Sequence, residues 1–87
     1  MTETRETRLK RLRIRSWRRG IKEMDLILGG YADTELAGLD DRALEVFEAV
    51  LGENDHDLFE WVTGQREPPV RYAALIATLA RRAALAR

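Results

Sequence analysis

Few side chains of this 87-residue chain are suited to covalent or acid–base chemistry. His56 is the only histidine, and it stands between Asp55 and Asp57. An imidazole flanked by carboxylates has the right donor types for a metal but lacks the geometry of a closed site. Duty as cap and first-turn residues of a helix explains the two aspartates better. Ser16 is the only serine and lies in an arginine-rich run, so no Ser-His-Asp set can be built. The absence of cysteine removes any disulfide framework, thiolate metal site or cysteine nucleophile. No GxGxxG or Walker loop is present, and Gly29-Gly30 alone is a turn signal. Glu23 and Asp25 are two residues apart, so on one helix they face different ways and do not form a catalytic carboxylate pair. No catalytic residue and no metal ligand are assigned, and the chain is not expected to be an enzyme.

Recognition chemistry is better represented. Arg18-Arg19-Gly20-Ile21-Lys22-Glu23-Met24-Asp25 places charges of both signs around a glycine. Arg19 offers a planar fork for bidentate contact with a carboxylate or phosphate. Gly20 permits a positive φ or the close approach of another backbone. A plainer reading makes Gly20 a turn glycine and Arg19–Glu23 a surface i, i+4 pair worth about 0.3–0.5 kcal/mol.

The elements that must position these residues are all helical. The first helix is expected from about Thr7 to Arg18, with Leu9, Leu12, Ile14 and Trp17 as an incomplete apolar stripe, and residues 1–7 as a loose tail. The second runs from about Ile21 to Leu36, with Ile21, Met24, Ile27, Leu28 and Tyr31 on one face. Gly29-Gly30 costs it roughly 1–2 kcal/mol of propensity, so a kink or break is expected there. Asp40 or Asp41 caps a third helix carrying Leu44, Phe47, Val50 and Leu51, and Gly52 stops it as a C′ residue. Asn54 or Asp55 caps a fourth, with Leu58, Phe59, Trp61 and Val62, ended by Gly64. Pro68-Pro69 opens a fifth, in which Tyr72, Leu75, Ile76, Leu79 and Ala83 are buried and Arg81, Arg82 and Arg87 favour the C-terminal end of the dipole. The expected fold is an all-α, five-helix bundle forming one domain over residues 1–87. The longest apolar stretches, residues 26–28 and 73–77, fall far short of the ~20 residues a spanning helix needs.

The net charge of zero conceals segregation: residues 1–23 carry +6, residues 24–67 carry −10 and residues 68–87 carry +4. Asymmetry of this kind points to partners. The basic helix suits nucleic acid, with phosphates on the arginine row and Trp17 stacking. It also suits an acidic protein patch or, less well because of Glu3 and Glu6, a mitochondrial presequence. Composition alone ranks the nucleic-acid reading first.

Two sequence blocks change that order. Arg19-Gly20-Ile21-Lys22-Glu23 matches an RGxxE motif, inside the wider string from Trp17 to Gly29. Phe47-Glu48 and then Asp55-His56-Asp57-Leu58-Phe59-Glu60-Trp61 form a DxDLxxW stretch. Together they resemble the SdhE family, the flavinylation factors of succinate dehydrogenase, over about residues 11–69. Ile21 stands where that family often has Met or Thr, and the tail from Pro69 matches weakly. The resemblance implies a small helical bundle that binds the flavoprotein subunit of succinate dehydrogenase, with fumarate reductase as a further client. It implies promotion of covalent FAD attachment to a histidine of that subunit. FAD would then be the client's cofactor, with none held tightly here. It assigns partner contacts to Arg19, Gly20 and Glu23, then Asp25, with Arg11, Arg13 and Trp17 at the periphery. The expected setting is the bacterial cytoplasm, because the motif lies close to the first residue. A monomer that binds neither nucleic acid nor membrane is expected, and a small basic nucleic-acid-binding regulator is the alternative.

Overall fold

A computed structural model describes residues 3–85 and contains five α-helices: α1 (Arg5–Trp17), α2 (Lys22–Glu35), α3 (Asp41–Leu51), α4 (Asp55–Val62) and α5 (Ala73–Leu85). Short 3-10 turns at Leu36–Gly38 and Val70–Tyr72 lead out of α2 and into α5. No strand occurs among the described residues. The expected five-helix, all-α architecture is what the chain adopts.

Local chemistry sets the starts of the helices. Thr4, Asp40 and Asn54 each turn a side-chain oxygen to an orphan backbone N–H of the first turn, at Thr7, Ala43 and Asp57. The Thr4 cap starts α1 at Arg5, two residues earlier than expected, so residues 5–7 are helix and not tail. One stop and one further start also differ from expectation. Gly52 is the C-cap of α3 itself, with an ordinary right-handed φ of −79°. Pro68 and Pro69 lie outside the fifth helix; Pro69 is extended and the 3-10 turn separates it from α5. Of the basic residues expected near the end of α5, Arg87 lies outside the described residues.

One core joins the elements. Leu12 of α1, Met24 and Leu28 of α2, Leu44 and Phe47 of α3, Leu58 of α4 and Leu79 of α5 are wholly buried. Tyr31 stacks on Phe47 with ring centroids 5.4 Å apart. α2 is central in this packing: it touches α1, α4 and α5.

α2 does not break at Gly29-Gly30, because Gly29 is a packing surface and the pair is not a turn. A Cβ on Gly29 would lie inside the Trp17 indole, which rests on the bare helix backbone. The indole N–H donates to Asp33 Oδ1 at 3.2 Å, one turn further along α2. The propensity cost of glycine is thus offset by a close α1–α2 contact. In α1 the inward position one turn after Leu12 belongs to Ser16, and Ile14 faces outward. Ser16 is buried with its hydroxyl bonded back to the Leu12 carbonyl at 2.7 Å, while Ile14 is 56 % exposed.

Candidate functional site

The site expected around Arg19, Gly20 and Glu23 is built from the loop between α1 and α2. Residues 18–21 leave helical geometry, and Gly20 takes φ +96°. No atom lies near the position of a Gly20 Cβ, so the requirement there is conformational and not steric.

Arg19 is the anchor of this loop. Its side chain is only 10 % exposed. Nε donates to Asp55 Oδ1 at 2.6 Å, Nη2 to the Glu53 carbonyl at 2.6 Å, and Nη1 to the Leu51 carbonyl. Its backbone N–H donates to Asp25 Oδ1 at 2.7 Å. The two carbonyls belong to the end of α3 and the segment before α4, where helical partners run out. Asp55 begins α4 and is 20 % exposed at its side chain. The same segment is braced from α5's side, where the Tyr72 hydroxyl donates to Glu53 Oε2 at 2.7 Å. Arg19 therefore ties the two sequence blocks together from within. The i, i+4 pair with Glu23 does not form, and Asp25 is likewise occupied by the loop it closes.

Glu23 differs. It is exposed in the first turn of α2, and among the described residues no cation is paired with it. Three apolar side chains around it face outward: Ile21 at 39 %, Leu26 at 55 % and Phe59 at 39 % exposure. Ile21, expected on the apolar face of the second helix, is thus a surface residue, and so is Phe59 of the fourth. Ile21 precedes the helix as its N-cap, and Phe59 lies on the side of α4 turned from the core. Ile21, Glu23, Asp55, His56 and Phe59 line a shallow hollow of about 380 Å³. Spacing within α2 could not reveal this ring, because Phe59 comes from another helix.

The peripheral residues are tied into the fold. Arg11 bonds to Glu3 at 2.8 Å and to Glu48 of α3 at 3.0 Å, and Arg8 bonds to the same Glu48 at 3.1 Å. Burial alone would raise the Glu48 carboxyl, but the hydrogen bonds from Arg11 and Arg8 outweigh it and hold the pKa below the usual range. Hydrogen bonds to Glu3 and then Glu48 in turn raise the pKa of Arg11. Arg13 pairs with Asp33 at 3.6 Å, and Arg5 with Asp41 at 3.4 Å. The +6 stretch is folded onto the −10 stretch, and much of the segregation is neutralised inside the molecule.

His56, Asp57 and Glu60 bring possible metal-ligand atoms within 4.8 Å of one another. Both carboxylates are already engaged by Arg66, Asp57 through Nη2 and Glu60 through Nε at 3.2 Å. An exposed cluster neutralised in this way is accounted for as ion pairing.

Comparison with known proteins agrees with the two-block pattern and extends it. Residues 10–83 match the family described as the flavinator of succinate dehydrogenase. The match thus runs through most of α5, beyond Pro69 where the motif resemblance faded. Relatives named "Succinate dehydrogenase assembly factor 2, mitochondrial" include one from Mycosarcoma maydis, 40 % identical over 83 % of this chain and 30 % of its own length. One from Schizosaccharomyces pombe is 36 % identical over 80 % of this chain and 50 % of its own. One from Meyerozyma guilliermondii is 43 % identical over 70 % and 45 %. The chain spans half or less of the length of these three relatives. Their names place them in mitochondria, against the expected bacterial setting; because they extend far beyond the matched stretch, the distance from first residue to motif does not report the compartment. With the fold, both blocks and 74 contiguous residues in agreement, the chain belongs to the succinate dehydrogenase flavinator family.

Proposed function

We infer that this chain docks on the flavoprotein subunit of succinate dehydrogenase and promotes covalent attachment of FAD to a histidine of that subunit. The family is one of assembly factors and not of enzymes, which suits a chain with so small a catalytic inventory. Bond-making would belong to the flavoprotein and its FAD. The factor would hold the client so that the flavin and the acceptor histidine meet in a reactive orientation, an effect of positioning alone.

One observation carries the docking surface: among the described residues Glu23 is an unpaired carboxylate set in a ring of exposed apolar side chains, in the first turn of α2 beside the loop clamped by Arg19. Exposed aromatic and aliphatic side chains beside a charge that can pair across the contact are what a partner surface can anchor on. Arg19 and Asp25 contribute by shaping the loop, Gly20 by its positive φ, and Ile21, Glu23 and Phe59 by contact. The nucleic-acid alternative loses its main support, because Arg5, Arg8, Arg11, Arg13 and Arg19 each hold an internal carboxylate.

The test is co-expression with the flavoprotein subunit in a host lacking its own factor, read as flavin fluorescence of that subunit on a denaturing gel. Labelling with the wild-type chain and none with Glu23→Ala is expected. An unlabelled subunit beside a well-folded wild-type chain would refute the reading.

A further inference from the structure

A second surface feature begins where the docking ring ends. α2 packs against both α4 and α5, and α4 packs against α5, so three helices meet on one side of the bundle. Between them runs an open groove of about 950 Å³, with Glu23 among its lining residues. On α2 the wall is Glu23, Leu26, Ile27 and Gly30, successive turns of a single face spanning about 10 Å. α4 contributes Phe59 and Val62, and α5 contributes Ala80, Ala83 and Ala84.

We propose that this groove receives an amphipathic helix of the client, two turns long at the contact, with a basic side chain directed at Glu23. The proposal rests on the docking reading above and gives the partner a shape and a charge. Gly30 on α2 and Ala80, Ala83 and Ala84 on α5 let another helix backbone come close between the bulkier Leu26 and Leu85. Leu26 and Phe59 stand at the rim as exposed apolar contacts for residues spaced i, i+3, i+4 and i+7. Pairing of a client strand with a sheet edge is not available, because the described residues contain no strand. Charge complementarity sets the sign and the direction. Arg82, at the far end, donates to the Gly30 carbonyl at 3.1 Å and is paired with Glu35 at 3.9 Å. Glu23 is the groove's unpaired charge among the described residues, so the incoming helix needs its cation at that end.

Leu26 and Ala84 are exposed, so changes there spare the core. The experiment measures the affinity of the full chain for the purified flavoprotein subunit, alongside helicity by circular dichroism. Leu26→Asp and Ala84→Arg should each weaken binding at least 10-fold with helicity unchanged, and Glu23→Ala should do the same. If Glu23→Ala weakens binding while both groove variants stay within 2-fold of wild type, the groove proposal is overturned and the docking reading stands. If all three bind like wild type, the docking reading itself falls. Photo-crosslinking from p-benzoylphenylalanine at position 84 should label a helical client segment bearing Lys or Arg; labelling of an extended segment would overturn the proposal. A wild-type dimer that Leu26→Asp converts to monomer would overturn it too, by assigning the groove to a second copy.

Discussion

The two charged ends of the RGxxE motif are only four residues apart, yet they have opposite fates. Arg19 is 10 % exposed and its donors are spent on Asp55 and two backbone carbonyls. Glu23 is exposed and unpaired among the described residues. In a motif of this kind one charged residue can build the surface while the other is presented on it. The same contrast holds at a larger scale, between a basic helix largely neutralised by the acidic middle of the chain and a ring of apolar side chains left uncovered around one carboxylate.

The sharpest way to break this comparison is to remove each end separately. Arg19→Ala leaves the Asp55 carboxylate and two carbonyls without their donor and should cost about 2–4 kcal/mol in urea unfolding. Glu23→Ala should change stability by no more than about 0.5 kcal/mol while abolishing flavin labelling of the client. Equal stability losses would mean that both residues are structural.

Gly29→Ala pushes a methyl group into the Trp17 ring and should cost about 1–3 kcal/mol. In a Trp61→Phe background the remaining tryptophan emission should shift to the red as the indole is displaced into water. An unshifted spectrum would mean that α2 and not Trp17 gives way. Gly20→Ala should cost about 1–2 kcal/mol, because a side chain is disfavoured at φ +96° even with open space around it. A larger loss of client binding than of stability would show that the loop's path matters to the partner.

The smallest effect concerns the basic helix. The Glu48 pKa is lowered in the folded chain, so its pairing stabilises the fold above the unfolded carboxylate pKa of 4.5. That contribution is lost as pH falls from about 4.5 through the lower folded value. Thermal unfolding curves should therefore show the melting temperature dropping below pH 4.5, and Glu48→Gln should flatten the drop. An unchanged acid profile would remove Arg8 and Arg11 from the account of the fold.

Local rules made much of this molecule readable. Caps expected at Asp40 or Asp41 and at Asn54 or Asp55, the apolar spacing of α3 and α5, and the absence of alternating stretches led to the helices observed, with Asp40 and Asn54 as the caps. These features depend on neighbours within one turn, and so does the reading of Asp55 and Asp57 as first-turn residues. The motif residues were also legible, through their resemblance to a family. Their division of labour was not. Whether Arg19 points in or out depends on carbonyls 32 and 34 residues away along the chain. Gly29 and Gly30 looked like a break because propensity counts only the helix that contains them, and Trp17 comes from another.

The sequence by itself determined an all-helical single domain, the N-caps of α3 and α4 to within one residue, and the pair of blocks that mark its family. Those are properties of short segments, where hydrogen bonds and apolar periodicity act over a few residues. Only the tertiary structure decided which charges cancel, because an ion pair depends on distance in space: Arg8, Arg11 and Arg19 find carboxylates 36 to 40 residues away. The surface left over, with Glu23 among Ile21, Leu26 and Phe59, exists because packing consumed the other candidates.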